Sequence, residues 1–317
     1  MGPGDYAADD EIHKTWTIDL VSSFGGGTEG WKAAALIYSG IGLVVNTISC
    51  LCVKELPEEE LYMTDLVAFP QPESPCSARE GFHLLCSNKY FLLVCATYIL
   101  SQLCQSSLNI GVYYMKYVMG DESLLKVFSA FTNIPLILGL VITPVLVRKL
   151  RGMYKLNMAG YAITCVGRIG LILSAYLGSV PMMLIFTGIS AIGTSPLQGG
   201  FNALIAACSE HTFLTKGRRI DGTMYACSSF GIKVGASIGT AVSGWLMASA
   251  GYVENALVQN SSTITLLHIL YLWVPLILNL SIAVILSKLD IEKANEKVLS
   301  RSIHSMKRTP ENAYAAQ

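Results

Sequence analysis

The sequence predicts an all-α, polytopic membrane protein, and three observations carry that prediction. Of 317 residues, 52% are apolar and 14% are charged, well below the roughly one quarter usual for soluble domains. Mean hydropathy is +0.49. Seven stretches are also long and apolar enough for a bilayer core about 30 Å thick, which needs roughly 20 residues per helix. They fall near 31–53, 90–117, 124–147, 155–177, 181–208, 222–250 and 264–287. None alternates with a period of two, as a barrel strand would, so the backbone polar groups must be satisfied within helices.

Each span has its own justification. The first carries no charge between Ala33 and Val53, and no charge falls between Tyr90 and Met115 in the second. Gly120-Asp121-Glu122-Ser123 predicts the turn and cap that open the third. Gly178-Ser179-Val180-Pro181 predicts a tight turn between the fourth and fifth. The sixth holds Gly231, Gly235 and Gly239 at intervals of four, a small-residue stripe that reads first as helix packing. The seventh is uncharged from Ala256 to Ser287. Pro135, Pro144, Pro196 and Pro275 interrupt helices at membrane depth, as cavity-lining helices do.

Between the first two spans, residues 55–88 hold Pro57, Pro70, Pro72, Pro75 and Glu58-Glu59-Glu60, which predicts a long polar connection. The tail after Lys288 is charged, helical to about Arg301 and disordered beyond. Sixteen Lys and Arg fall on the tail side and four on the other, so the tail side is expected to be cytoplasmic. Residues 1–30, which contain no signal peptide, then lie outside. An odd number of spans and an undelivered N-terminus give the expectation that the chain is a piece of a longer protein.

Formal net charge is zero, with 22 basic and 22 acidic residues, and this argues against nucleic-acid binding. Nine cysteines without a CxxC pair give no metal or redox motif. Asn260-Ser261-Ser262 is a formal glycosylation triplet on the outer side. No Walker loop, dinucleotide fingerprint or hydrolase elbow is present, so no enzyme, catalytic residue or cofactor is expected.

Function is expected from polar residues at membrane depth. A charge at the middle of a helix costs about 2.5–3.5 kcal/mol on insertion scales. Lys233 sits at such a depth and leads the candidates, a ligand or ion contact rather than a helix-locking charge pair. Arg168 is the second mid-span charge, with snorkelling to an interface as its plainer explanation. Gln105 and Asn109, with Gln102, recur at spacings of three and four; Gln198 and Asn202 share a face; Asn133 stands alone. Interhelical hydrogen bonds explain such residues singly, but together with Lys233 they point to a polar cavity.

Three segments carry a family resemblance: Tyr113-Tyr114-Met115-Lys116-Tyr117, Thr215-Lys216-Gly217-Arg218-Arg219-Ile220-Asp221-Gly222 with Tyr225, and Phe230-Gly231-Ile232-Lys233-Val234-Gly235-Ala236. Gly251-Tyr252-Val253-Glu254-Asn255 follows in order. The chain resembles the glycoside–pentoside–hexuronide:cation symporters, the melibiose-carrier-like branch of the major facilitator superfamily. That resemblance implies twelve helices in two halves. Residues 31–54 would be the last helix of the N-terminal half, 55–88 the cytoplasmic central loop, 89–288 the six-helix C-terminal half and 289–317 a cytoplasmic tail. It further implies Na⁺- or H⁺-coupled sugar symport across the cell membrane, with the cation carboxylates mostly on the absent early helices. The sugar would lie between the halves, with Lys233, Ser229 and Ser228 at matching positions. An aromatic residue that stacks on sugar would align near Gln198. A non-transporting half-carrier and, from the span count alone, a seven-helix receptor are the alternatives.

Overall fold

The computed structural model describes residues 20–21, 23–52, 77–150, 152–253 and 256–301. Residues 1–70 and 71–317 form two compact units. In the first, α1 (Gly27–Cys52) is a single 26-residue helix. It buries Gly30 and Ala34 but exposes Trp31, Leu36, Leu43, Val45 and Leu51. Apolar residues on all sides mark a helix whose surroundings are themselves apolar. The acidic and proline-rich run at 57–75 and the tail beyond Arg301 lie outside the described residues.

The second unit is a helical bundle. Its helices are α2 (Ala78–Ser87), α3 (Lys89–Leu108), α4 (Gly111–Tyr114), α5 (Leu124–Leu150), α6 (Met153–Tyr176) and α7 (Val180–Gly199). They are followed by α8 (Phe201–Lys216), α9 (Asp221–Ser249), α10 (Ser261–His268) and α11 (Val274–Leu286). Two π-helical segments, Met115–Met119 and Ile269–Trp273, extend α4 and join α10 to α11. In space the long helices follow the order α5, α7, α6, α11, α3, α9. Sequence neighbours are thus not always spatial neighbours.

Six helical stretches of the described residues are long and apolar enough to cross a membrane, where the sequence predicts seven. The difference is α9. At 29 residues it is long enough, but Ser228, Ser229, Lys233, Ser237 and its glycines dilute its apolar content.

Local chemistry fixes the helix ends. Asn88 caps α3 through Oδ1, which accepts from the backbone N–H of Tyr90 (3.0 Å) and Phe91 (3.1 Å). Its Nδ2 donates to the Cys208 carbonyl (3.0 Å) and Thr212 Oγ1 (2.9 Å), tying the cap to α8. Asn88→Ala loses both sets of bonds in a buried site; we expect a loss of about 1–3 kcal/mol, read as a lower Tm in detergent. Asp121 Oδ1 accepts from Ser123 N (2.9 Å) in the turn that the sequence predicts, with Gly120 at a φ of +73°. Asn260 caps α10, and its Nδ2 donates to the carbonyls of Ala250 and Gly251 (3.0 and 3.2 Å), so the nitrogen of the formal glycosylation triplet is engaged.

Close approach of α6 and α7 depends on missing side chains. A Cβ on Gly193 would stand 2.5 Å from the Gly160 carbonyl oxygen and 2.7 Å from Thr164 N. The stripe on α9 behaves similarly: a Cβ on Gly235 would meet Ile99 backbone at 3.2 Å, and one on Gly239 would meet Ser106 Cβ at 2.7 Å. Packing is therefore what Gly235 and Gly239 do, as the four-residue spacing suggests.

The tail folds back onto the bundle. Residues 291–301 are helical, Leu289 and Ile291 are buried, and Glu292 Oε1 accepts from Met153 N (2.6 Å). A carboxylate there satisfies the first N–H of α6 and opposes its positive end. Asn295 adds a contact to His211 Nδ1 (2.8 Å) and a bond to the Ala207 carbonyl (2.9 Å).

Candidate functional site

α6 has one outward and one inward face. It turns Ile163, Val166, Ile169 and Leu173 outward and buries Thr164, Arg168 and Leu171. The outward residues recur at intervals of three and four, an apolar stripe suited to lipid. The inward face meets α7: Thr164 Oγ1 donates to the Ser190 carbonyl of α7 (3.3 Å) as well as to the Gly160 carbonyl of its own helix (3.1 Å). Arg168 is 8% exposed, so it does not snorkel.

A cavity of about 230 Å³ opens on this side of the bundle. Gln105 and Asn109 of α3 and its extension, Asn133 of α5 and Gln198 of α7 contribute amides, and Arg168 contributes the charge. Tyr161, Tyr271 and Phe128 supply aromatic walls. Amides both donate and accept, as sugar hydroxyls do. The volume falls below the ~300–1,000 Å³ of whole ligand pockets, and suits one ring or one end of a larger ligand.

Gln198 is placed by a break in the helix. α7 ends at Gly199 and α8 begins at Phe201, while Pro196 supplies no N–H in the last turn. The Ile192 carbonyl that this N–H would have reached accepts from Ser195 Oγ at 2.7 Å, and at the break itself the Leu197 carbonyl, one residue before Gln198, accepts from Tyr98 Oη of α3 at 2.6 Å. Phe201 packs edge-on against Tyr98 with ring centroids 4.2 Å apart. The broken backbone is thus held from α3, with Gln198 at the cavity.

Of the seven residues singled out as substrate contacts, the cavity gathers Gln105, Asn109 and Gln198. Lys233, Ser229, Ser228 and Asn202 do not line it. Lys233 and Ser229 are exposed, one turn apart on α9, and Ser237 and Thr240 continue the same side. That polar stripe would be costly against lipid, so it faces water or protein. Ser228 is buried, beside Cys95 of α3. Asn202 is exposed, and its carbonyl accepts from Tyr225 Oη at 3.1 Å.

Sequence reasoning passed over Thr187, Ser190 and Asn279. The first two are ordinary small residues of an apolar helix and leave no signal. Asn279 is legible, a lone amide within Val274–Leu286; it is 2% exposed and faces Cys104 Sγ at 3.8 Å.

Two of the segments that carry the family resemblance also meet in space. The Tyr113 and Tyr117 rings lie 5.2 and 6.0 Å from the Tyr252 ring, joining the Tyr-rich end of the continuous Lys89–Met119 stretch to the Gly251-Tyr252 turn. The family model described as MFS/sugar transport protein matches residues 17–293. The chain belongs to the MFS/sugar transport protein family. Among relatives of this family, it is similar to an isoprimeverose transporter of Lactiplantibacillus pentosus, 27% identical over 310 residues, 96% of this chain and 61% of the relative. It is 25% identical over 299 residues to the provisionally named glycoside/cation symporter YagG of Escherichia coli (strain K12), 90% of this chain and 60% of that one. A provisionally named sulfoquinovose importer of the same organism is 25% identical over 262 residues, 81% of this chain and 52% of the relative. The chain thus spans between half and two thirds of the length of these relatives. Membership of the MFS/sugar transport protein family points to a transporter rather than an enzyme, and leaves the seven-helix receptor reading without support.

Proposed function

We propose that the protein is a secondary active transporter that carries a glycoside, pentoside or hexuronide with Na⁺ or H⁺ by alternating access. The observation that carries this reading is the polar cavity, set in apolar helices and lined by amides from α3, α5 and α7. The names of its relatives support the same class of cargo: isoprimeverose, glycosides and sulfoquinovose. One end of the sugar occupies the cavity, with hydroxyls bonded to Gln105, Asn109, Asn133 and Gln198. Lys233 makes a charge-assisted contact to the cargo or to a cation-site carboxylate, with Ser229 and Ser228 beside it on α9. No resident cofactor takes part, and the coupling ion is a co-substrate. The site residues therefore fall into two groups, one in the bundle cavity and one on the polar side of α9.

On this reading the protein sits in the cell membrane, and the asymmetry of Lys and Arg supports a cytoplasmic C-terminal tail. The test is uptake of radiolabelled glycosides into proteoliposomes containing the carrier at its natural length. An inward Na⁺ or H⁺ gradient is expected to drive accumulation above the outside concentration, and collapse of that gradient to abolish it. Accumulation that ignores both gradients would refute symport; no uptake of any glycoside would favour the half-carrier alternative.

A further inference from the structure

Arg168 is the only charged side chain buried among the described residues. It lines the cavity, and no Asp or Glu lines it alongside. Its Nε is enclosed without a hydrogen-bond partner, as are Thr187 Oγ1 and Ser190 Oγ across the cavity wall. These two hydroxyls stand on the stretch of α7 that packs against Gly167, the residue before Arg168. Nothing among the described residues pairs with the guanidinium.

A buried charge without a counter-charge is unfavourable unless something supplies it. Sugar hydroxyls would satisfy N–H groups but leave the charge uncompensated. A guanidinium has five donors in a planar fork and no acceptor, so its best partner is negative, accepts only, and presents two oxygens side by side. Carboxylate and sulfonate groups both do this. The hydroxyls of Thr187 and Ser190 can donate to a further lone pair, while the surrounding amides suit a hydroxylated body.

We propose that Arg168 is the anion-recognition residue of this cavity and that the carried molecule is an acidic sugar, with a carboxylate or sulfonate held at the guanidinium. The proposal rests on the transporter reading and narrows its cargo. It also gives the cavity an orientation: the acidic end is innermost, at α6 and α7, and the hydroxyl-bearing end lies toward Gln105 and Gln198.

The test measures binding by calorimetry to the natural-length carrier in detergent, with methyl glycosides offered in matched pairs. Each pair is a neutral 6-hydroxymethyl sugar and its 6-carboxylate or 6-sulfonate, and inorganic sulfate is titrated alone. The acidic member is expected to bind at least about ten-fold more tightly, as charge-assisted bidentate pairing requires. Arg168→Gln is expected to erase that preference by weakening the acidic member at least about ten-fold more than the neutral one, and Arg168→Lys to keep part of it. Should Arg168→Gln not fold, the preference of the unaltered protein and of Arg168→Lys decides. Equal affinity for both members, or equal weakening of both by Arg168→Gln, overturns the proposal while leaving sugar transport intact. Arg168-dependent binding of sulfate with no preference between sugars overturns it in favour of a free-anion site. Binding of neither member in any pair refutes the transporter reading itself, and this proposal with it.

Discussion

Replacing Lys233 with Ala is expected to lower sugar uptake by about 10- to 100-fold, because hydrogen bonds to charged groups are worth about 1.5–3 kcal/mol and each 1.4 kcal/mol is a factor of ten. The side chain is exposed near the middle of α9. A charge there disfavours insertion by about 2.5–3.5 kcal/mol on insertion scales. Its removal should therefore leave the amount of protein in the membrane unchanged or raise it. The two readouts move in opposite directions only if the lysine serves transport. A lysine that merely locks helices together would instead lower membrane abundance and Tm when lost. Uptake that is unchanged in Lys233→Ala would remove this residue from the site. Gly231→Ala, two positions away, is the companion control: its added Cβ would meet Ile99 side-chain atoms at 3.8 Å, an ordinary contact, and uptake should be retained.

Gly193→Leu is expected to remove folded protein from the membrane altogether. The first added atom would stand 2.5 Å from the Gly160 carbonyl oxygen and 2.7 Å from Thr164 N, both backbone atoms that cannot turn aside. Overpacking a well-filled core costs about 1–3 kcal/mol and sometimes more, and here relief requires α6 and α7 to separate. Helix association in a bilayer relies on such close approach, since lipid and side chain are equally apolar. Separation would also shift Ser190 and Arg168 on opposite sides of the contact, so residual protein should lose sugar binding. Fluorescence-detected size exclusion would show aggregate in place of a monodisperse peak. A monodisperse, sugar-binding Gly193→Leu protein would contradict the packing described for α6 and α7.

The spans were legible because lipid demands long apolar runs. Those read near 124–147 and 155–177 correspond to Leu124–Leu150 and Met153–Tyr176. Depth was legible too, and it brought out Lys233 and Arg168. What sequence could not give was the direction in which each side chain points. Transmembrane helices are apolar on the lipid side and nearly so within the bundle, so periodicity marks their faces weakly. Lys233 led the candidates on depth alone, yet Arg168 is the charge inside the cavity. The resemblance to sugar symporters, rather than depth, is what keeps Lys233 in the site. Ala78–Ser87 shows a second limit: it is a helix inside the stretch read as a long polar connection. The helix at 291–301 agrees with the reading of the tail as helical to about Arg301, but its docking through Glu292 at the start of α6 is a tertiary contact that no local pattern announces.

Occupancy of the cavity between α3, α5 and α7 by cargo can be read directly. Thr194 lines that cavity and is partly accessible, so a Thr194→Cys variant can report occupancy through its rate of modification by a small methanethiosulfonate reagent. The measurement is made in a background with the native cysteines replaced, at graded concentrations of a transported sugar. At least about ten-fold protection is expected, with half-protection at the concentration that half-saturates uptake. A modification rate that stays constant while uptake saturates would place the sugar elsewhere and contradict occupancy of the cavity.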